Sequence, residues 1–172
     1  MLTKWTRLAA LAAMTSFAAP ALAAPVSAPT APEGRGLLLR PLTLVKVSDA
    51  SFGTIIANGS SSVTVTIDPS TGNRTSSHPA SLFAADPGGR AYFAGAGTPG
   101  QQVVMALSYP ATLDDGAGNS ITLVTMLMDG PATRTIAANQ TFYVGVGGVI
   151  QVPVNAPEGT YSATFDLTAD YQ

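Results

Sequence analysis

The chain has 172 residues, of which 10% are charged, and its formal net charge is −2. It contains no cysteine and one histidine, which excludes disulfides and thiolate chemistry and argues against a zinc site. Basic residues are few and scattered, so we expect no nucleic-acid partner and no attraction to anionic lipid.

The first 23 residues have the layout of a secretory signal peptide. Lys4 and Arg7 form a basic start, residues 8–19 are an apolar run, and the small-residue site Ala21-Leu22-Ala23 follows. This layout predicts cleavage after Ala23 and export to the periplasm, the cell surface or the extracellular medium. The alternative is a membrane anchor, but the apolar run is shorter than the about 20 residues that span a bilayer.

A proline-rich leader, residues 24–36, comes next. It has three prolines and almost no bulky side chains, so it cannot bury enough surface to order itself. We therefore expect one domain over residues 37–172. Without Lys4 and Arg7, six basic residues remain against ten acidic ones, a net charge of −4. The mature chain has no apolar segment long enough to span a membrane.

Hydrophobic alternation and turn residues predict eight to ten short strands after the leader. The strands are expected over residues 37–47, 52–56, 62–68, 81–84, 90–95, 102–109, 121–128, 141–146, 149–154 and 161–171. The dipeptide Gly147-Gly148 predicts a hairpin turn between two of them. No amphipathic helix is present to connect parallel strands. The pattern therefore predicts an all-β fold, an Ig-like antiparallel β-sandwich.

The C-terminal stretch has the most regular pattern in the chain. From Tyr161 to Tyr171 every odd position is apolar and every even position is polar. A strand with this pattern buries one face and exposes the other, and a one-residue slip would bury Asp166 and Asp170. Strict alternation is also what an ordinary half-buried strand shows, so the partner of this strand decides its role.

No residue pattern predicts catalysis, a cofactor or a metal site. His78 lies in a polar loop without the frame of a nucleophile and its base. The oxygen-rich stretches do not follow the spacing of calcium loops, and turns need the same residue types. These stretches are Asp114, Asp115 and Asn119, and Asp68 with Asn73.

Two pairs of adjacent aromatic residues, Tyr92-Phe93 and Phe142-Tyr143, are candidates for a sugar-stacking platform. Neighbours in a strand point to opposite faces, so at most one residue of each pair is free to stack on a sugar. Core filling is the better interpretation of these aromatics.

Three landmarks in order resemble a family of exported bacterial β-domains that is catalogued as a domain of unknown function, the DUF 4402 type. They are the stretches at residues 41–55, 63–75 and 142–165, and the resemblance covers nearly the whole mature chain. It implies an exported β-domain and carries no biochemistry.

The C-terminus is also similar to that of chaperone–usher pilus subunits. Gly159 is the fourteenth residue from the end, and Tyr171 is the penultimate one. The resemblance implies a sandwich completed by β-strand addition, first by a periplasmic chaperone and then by another subunit, a copy or a relative. It further implies that an apolar groove is lined by Tyr161, Phe165 and Leu167 together with Tyr171, and that Gly159 allows close backbone approach.

These patterns predict a non-enzymatic, exported structural or interaction protein, a pilus- or fimbria-like surface subunit. The strand donor is not evident, because the leader prolines cannot donate to a ladder, and use of residues 37–47 would remove the domain's own first strand. The alternative is a stand-alone binding module with a self-complete sandwich and carbohydrate as its candidate ligand. An enzyme ranks third, since no acid–base pair or nucleophile frame is present.

Overall fold

The computed structural model describes Thr30 and residues 33–172, so the expected signal peptide and most of the expected leader lie outside the described residues. Residues 38–172 form one compact unit. It contains ten strands and a single turn of 3₁₀ helix, Pro79–Ser81. The strands are β1 Thr43–Ser48, β2 Val63–Ile67, β3 Arg74–Ser76, β4 Ala91–Ala96, β5 Gln102–Ser108, β6 Thr112–Asp114, β7 Ser120–Met128, β8 Thr133–Thr135, β9 Thr141–Val152 and β10 Asp166–Tyr171.

The larger sheet has seven strands and is organised around β9. Val146 of β9 pairs with both β4 and β7, and Gln151 of β9 pairs with both β2 and β7. A residue with two partners has one on each edge, so β4 and β2 share one edge of β9 and β7 lies on the other. Three outer strands complete the sheet: β1 beside β4, β3 beside β2 and β6 beside β7.

The smaller sheet has three strands in the order β10-β5-β8. All pairings in both sheets are antiparallel. The predicted all-β, antiparallel sandwich is confirmed.

The core lies between the inner faces of the sheets, and alternation explains which residues enter it. In β2 the residues Val63, Val65 and Ile67 are buried while the threonines between them are not. On the opposite side, Val103 and Met105 of β5 are buried in one cluster with Val63 and Val65. Branched aliphatic residues of this kind fit a pleated, half-buried surface, which is why these segments form strands.

The expected hairpin at Gly147-Gly148 is wrong, because β9 runs through it as one twelve-residue strand. Neither glycine has a positive φ. A Cβ on Gly147 would collide with the Ile67 carbonyl oxygen and lie 2.7 Å from Pro69 N, and a Cβ on Gly148 would lie 2.8 Å from the Thr125 carbonyl oxygen. These glycines therefore allow neighbouring backbones to approach the strand closely, which is a use of glycine other than turning.

Two of the expected strands are instead irregular segments, and the side chain of a residue on another strand binds their backbone. Residues 52–56 form only the isolated bridge of Ile55 with Leu82, and in the expected strand 81–84 Ser81 ends the 3₁₀ turn while residues 82–84 follow it. The Arg74 guanidinium donates to the carbonyl oxygens of Phe52, Thr54 and Phe83 at 2.7, 3.2 and 2.8 Å. One arginine thus supplies hydrogen bonds that a ladder would otherwise make.

Candidate functional site

The predicted alternation of the C-terminal stretch, residues 161–171, is present in β10, but the strand is shorter than expected. These residues are called the tail below. Regular pairing begins at Asp166, and Tyr161 to Phe165 is irregular apart from one bridge at Ser162. From Phe165 onward the odd positions are half-buried and the even ones exposed, whereas Ala163 is exposed. The apolar residues of β10 therefore face the core, as the pattern indicates.

β10 is an edge strand with one free side. It pairs only with β5 among the described residues, from Asp166 opposite Ser108 to Tyr171 opposite Val103. Gln172 N donates to Gln102 O at 3.0 Å in the same register, so the even-numbered residues bond to β5. Leu167, Ala169 and Tyr171 consequently direct their backbone N–H and C=O groups to the unpaired edge.

The hydroxyl of Tyr171 ties the end of β10 to the start of the domain. It donates to Arg40 O at 2.8 Å and accepts from Thr98 N at 2.8 Å. Arg40 is further fixed by its own N–H, which donates to Thr98 Oγ1 at 2.8 Å, and by its guanidinium, which bonds to Gln140. The last strand and the segment leading into β1 therefore meet at one end of the sandwich.

Phe165 and Leu167 pack against the core from the tail side. The Phe165 ring lies edge-on to the Phe93 ring of β4, with centroids 6.1 Å apart and planes at 78°. Both tail residues remain half-buried, so they form a boundary of the core. Edge-to-face aromatic pairs of this kind are favourable beyond the area they bury.

Tyr161 lies before β10, in the part of the tail that is outside the smaller sheet and that contacts β6. Ser162 exchanges two hydrogen bonds of 3.0 Å with Asp114, and the Tyr161 hydroxyl donates to Pro157 O at 2.8 Å. Burial raises the pKa of the Tyr161 phenol, and the nearby Asp115 carboxylate raises it further. The ring is therefore held in an apolar position beside a negative charge.

Gly159 lies in the exposed loop before Tyr161 and well before the first paired residue of β10. A Cβ at Gly159 would meet Asp115 Cβ at 3.5 Å, an ordinary contact, and its φ is not positive. The structure has room for a side chain there, and no strand backbone among the described residues approaches it closely.

A groove of about 930 Å³ lies between two irregular segments, residues 50–57 and residues 155–165. Core side chains from the larger sheet line it: Leu113, Ile121, Leu123, Met126, Ile150 and Val152. Tyr161 and Phe165 line the groove, while Leu167 and Tyr171 lie on β10 beyond it. Two of the four expected residues therefore line the groove, and the other two lie on the strand that continues from the same wall.

The opposite wall presents unpaired backbone at Ile55. Ile56 N donates to Ser81 O at 2.8 Å and Phe83 N donates to Thr54 O at 3.2 Å, so the residues on either side of Ile55 face away from the groove. The N–H and C=O of Ile55 have no hydrogen-bond partner within residues 33–172. This wall offers a donor and an acceptor to an extended chain.

The other candidate residues have structural partners. His78 Nε2 lies 3.2 Å from Ser61 Oγ and Nδ1 lies 3.2 Å from Ser77 Oγ, so each ring nitrogen meets a hydroxyl. A triad would place a carboxylate beside one of these nitrogens, and hydroxyls occupy both positions.

The two acidic stretches are turns. Asp68 Oδ1 accepts from Ser70 N and Thr71 N, and hydrogen bonds, first of all from the Thr71 backbone, lower the pKa of its carboxyl group. Asp115 accepts from Ala117 N, Asn119 N and Asn119 Nδ2, and the Asn119 side-chain bond is the main reason that its pKa is lowered. No cluster of three metal-ligating side chains occurs among the described residues.

The aromatic pairs divide between the two faces of the larger sheet. Phe93 and Phe142 are buried, while Tyr92 and Tyr143 face outward and stack with centroids 5.8 Å apart and planes at 7°. The Arg90 guanidinium lies 4.9 Å above the Tyr92 ring. Tyr92 therefore has Arg90 and Tyr143 as ring neighbours, which limits the ring surface it offers to a sugar.

Several groups that shape this region were not singled out from the sequence. Arg40 and Thr98 bind the Tyr171 hydroxyl, Arg74 holds one groove wall, and Ile55 presents free backbone there. Their roles depend on partners distant in the chain, and Arg40 and Tyr171 are 131 positions apart. No local pattern carries that information.

Within the part of the chain that the structure covers, no helix has the length and apolar character needed to cross a membrane. A search of the curated proteins and a search of the solved structures each found no match to the chain. A family model described as "Domain of unknown function (DUF4402)" matches residues 42–171, which includes every strand and both groove walls. The chain belongs to this family of domains of unknown function.

Proposed function

We propose that the mature chain is a non-enzymatic structural subunit that is exported and assembles on the cell surface, like a pilus or fimbria subunit, by β-strand addition. A periplasmic chaperone and copies of itself or related subunits are its partners. Such assembly uses backbone hydrogen bonds for affinity and pockets for alternate side chains for register.

The free edge of β10 carries this proposal. Leu167, Ala169 and Tyr171 direct backbone groups to that edge while their side chains face the core. A groove lined by core residues and by the free backbone of Ile55 adjoins the same tail. Exposed edges are sites where a further strand can pair.

The second candidate is a self-complete binding module with carbohydrate as ligand, and the outward-facing Tyr143, which is 48% exposed, favours it. The two functions differ in quaternary structure. A module of this kind is a monomer in solution and loses its ligand when Tyr143 is changed to Ala, whereas a strand-added polymer keeps its assembly in that variant.

The test starts from material sheared from cells that produce the full chain. Subunits tied through core strands are expected to give a gel ladder that survives detergent at room temperature and collapses on boiling. Monomer as the only species in the sheared and soluble fractions contradicts the proposal.

Tyr171→Ser tests the tail itself. We expect this variant to be exported and to lose the ladder, because the ring and both hydrogen bonds of the hydroxyl disappear from the end of β10. Asp170→Ser is the matched control, since Asp170 lies on the exposed face of the same strand. An unchanged ladder in Tyr171→Ser is incompatible with a role of this edge in assembly.

A further inference from the structure

We propose that β1 is an exchangeable strand, so that in the assembly residues 38–48 of one copy occupy the β4 edge of a second copy. This inference rests on the proposed function: it names β1 as the strand that a neighbouring copy supplies, and it places that strand at the β4 edge, where its Arg40 carbonyl meets Tyr171 at the end of β10. In this arrangement an isolated chain completes its larger sheet with its own β1. An assembled chain receives β1 from a neighbouring copy.

β1 is weakly embedded in its own domain. Within residues 33–172 it pairs with β4 alone, and five of its six side chains are exposed. Val45 and Val47 are each 61% exposed although both are apolar. Only Leu42, just before the strand, and Leu44 pack against the core, and both are half-buried.

The remaining attachments of this segment are polar and centre on Arg40. Arg40 accepts from the Tyr171 hydroxyl, donates to Thr98 Oγ1 and bonds to Gln140. In addition, Thr43 Oγ1 and Ser48 Oγ donate to Ala96 O and Arg90 O at 3.5 and 3.3 Å, and Lys46 forms an exposed ion pair with Asp49. A second copy carries the same strand and the same acceptor groups, so each of these contacts can re-form between copies without loss. The penultimate tyrosine then holds the incoming strand by its Arg40 carbonyl.

The chain after β1 suits a hinge. The pairing register slips between Lys46 and Ser48, and Asp49 and Ala50 belong to no strand. The next paired residue is Ser51, which forms an isolated bridge with Gly89. A change of direction at Asp49-Ala50 therefore breaks no ladder beyond β1 itself.

Departure of β1 exposes the edge of β4 that it covers, next to the C-terminal tail. Lys46 and Leu44 are the partners of Phe93 and Gly95 of β4 in the present register, and Phe93 contacts Phe165 of the tail. The vacated position is thus bounded by β4 and by the tail residues Phe165 and Tyr171. A single strand from a neighbour fills it.

Charge favours a second copy as the source of this strand. Residues 38–48 carry Arg40 and Lys46 and no carboxylate, whereas residues 49–172 carry three arginines against nine carboxylates, a net charge of −6. The three arginines of that part donate to carbonyl oxygens of their own domain. A basic strand that passes between two acidic bodies offsets their repulsion.

The absence of cysteine from the chain permits an unambiguous test. Val45 and Ala94 are directly opposite in the β1–β4 ladder, both on its outer face, and directly opposite residues have Cα atoms about 5 Å apart, within disulfide range. The double variant Val45→Cys, Ala94→Cys is produced as the full chain, and the sheared fraction is oxidised and run on non-reducing gels after boiling.

We expect most disulfides in the assembled fraction to join different chains, giving a ladder that resists boiling and collapses with reductant. The matched control is Thr64→Cys, Gln151→Cys in the β2–β9 ladder, which exchange of β1 cannot separate, and it should run as a boiled monomer. Co-production of the two single variants, Val45→Cys and Ala94→Cys, should give linked chains as well, which covers the case in which the double variant does not fold.

Assembly at the wild-type level with every Val45→Cys, Ala94→Cys disulfide inside one chain overturns the exchange of β1 and leaves the proposed function standing. Lack of any heat-labile ladder in the unsubstituted chain overturns both. Interchain disulfides in the double variant or in the co-produced single variants support exchange.

Discussion

The Tyr171 hydroxyl donates a 2.8 Å hydrogen bond to the carbonyl oxygen of Arg40, 131 positions earlier in the chain. The Tyr171 hydroxyl oxygen also accepts a hydrogen bond from Thr98 N at 2.8 Å. One phenol thus joins the last strand, the segment before the first strand and the turn after β4.

Tyr171→Phe removes both hydrogen bonds and keeps the ring. We expect the free energy of unfolding to fall by about 1–2 kcal/mol, since each net hydrogen bond contributes roughly 1 kcal/mol and Thr98 N loses its acceptor. Urea denaturation followed by circular dichroism measures the change. Tyr109→Phe is the control, because the Tyr109 hydroxyl has only a 3.5 Å contact with Thr125 Oγ1. Equal stability of the two variants would show that the Tyr171 hydroxyl is not a tether.

Gly147→Ala should be severely destabilising, by at least about 3 kcal/mol, because overpacking against fixed backbone cannot be relieved by a rotamer change. The added methyl group would collide with the Ile67 carbonyl oxygen and with Pro69. Gly89→Ala is the matched control, since its Cβ would meet nothing within 4 Å and its φ is not positive. Thermal unfolding of both proteins gives the comparison, and a Gly147→Ala protein as stable as Gly89→Ala contradicts the close packing of β9.

Arg74→Met should loosen the groove wall at residues 52–54. The variant keeps much of the apolar stem and loses the donors to Phe52, Thr54 and Phe83, for an expected loss of about 2 kcal/mol. Hydrogen exchange should accelerate at Phe83 N, whose acceptor is Thr54 O, and at Ile56 N. Arg35→Met is the control, because its ion pair with Glu33 is exposed and exposed pairs contribute little. Unchanged exchange at Phe83 and Ile56 would mean that Arg74 does not hold this wall.

The turn at Asp115 should make stability depend on pH in the acidic range. Hydrogen bonds from Asn119 and Ala117 lower the pKa of this carboxyl group below its ordinary value of 3.8. The ionised form is therefore favoured by folding, so its contribution is complete above about pH 4 and is lost as the pH falls through the lowered pKa. Asp115→Ala should be less stable than the unsubstituted chain at neutral pH, with a gap that narrows below about pH 4.

Asn119→Ala serves as the second arm of that experiment. It removes the main cause of the lowered pKa, so its stability deficit should narrow over the same pH range. Thermal unfolding from about pH 2.5 to 7 measures both variants. A gap that stays constant down to the lowest pH contradicts the role given to the Asp115 carboxylate.

The predicted hairpin turn at two adjacent glycines shows where local sequence pattern gave a wrong prediction. Gly147-Gly148 has the composition of a hairpin turn, yet both residues lie inside β9 without positive φ. Local preference cannot distinguish a glycine that turns the chain from one that admits a neighbouring backbone, because the neighbour, here residues 67–69 or Thr125, comes from elsewhere in the chain.

The short strands show the same limit. Residues 74–76, 112–114 and 133–135 pair for three residues each, and none has a periodic pattern of its own. Residues 52–56 do have strand-like composition, but Arg74 occupies the carbonyl groups that a ladder would need. Pairing of short or irregular segments depends on what the rest of the chain brings to their edges.

The alternation in the chain by itself determined the all-β class, the antiparallel sandwich and the inward face of the tail. Period-two burial is a local property, and Val63, Val65, Leu167 and Tyr171 display it in sequence and structure alike. Only the tertiary structure decided that, within residues 33–172, β10 is an edge whose backbone is free at Leu167, Ala169 and Tyr171, and that β1 is nearly uncovered there. Which strands become edges depends on pairing between distant segments, and a pattern within one segment cannot specify its neighbours.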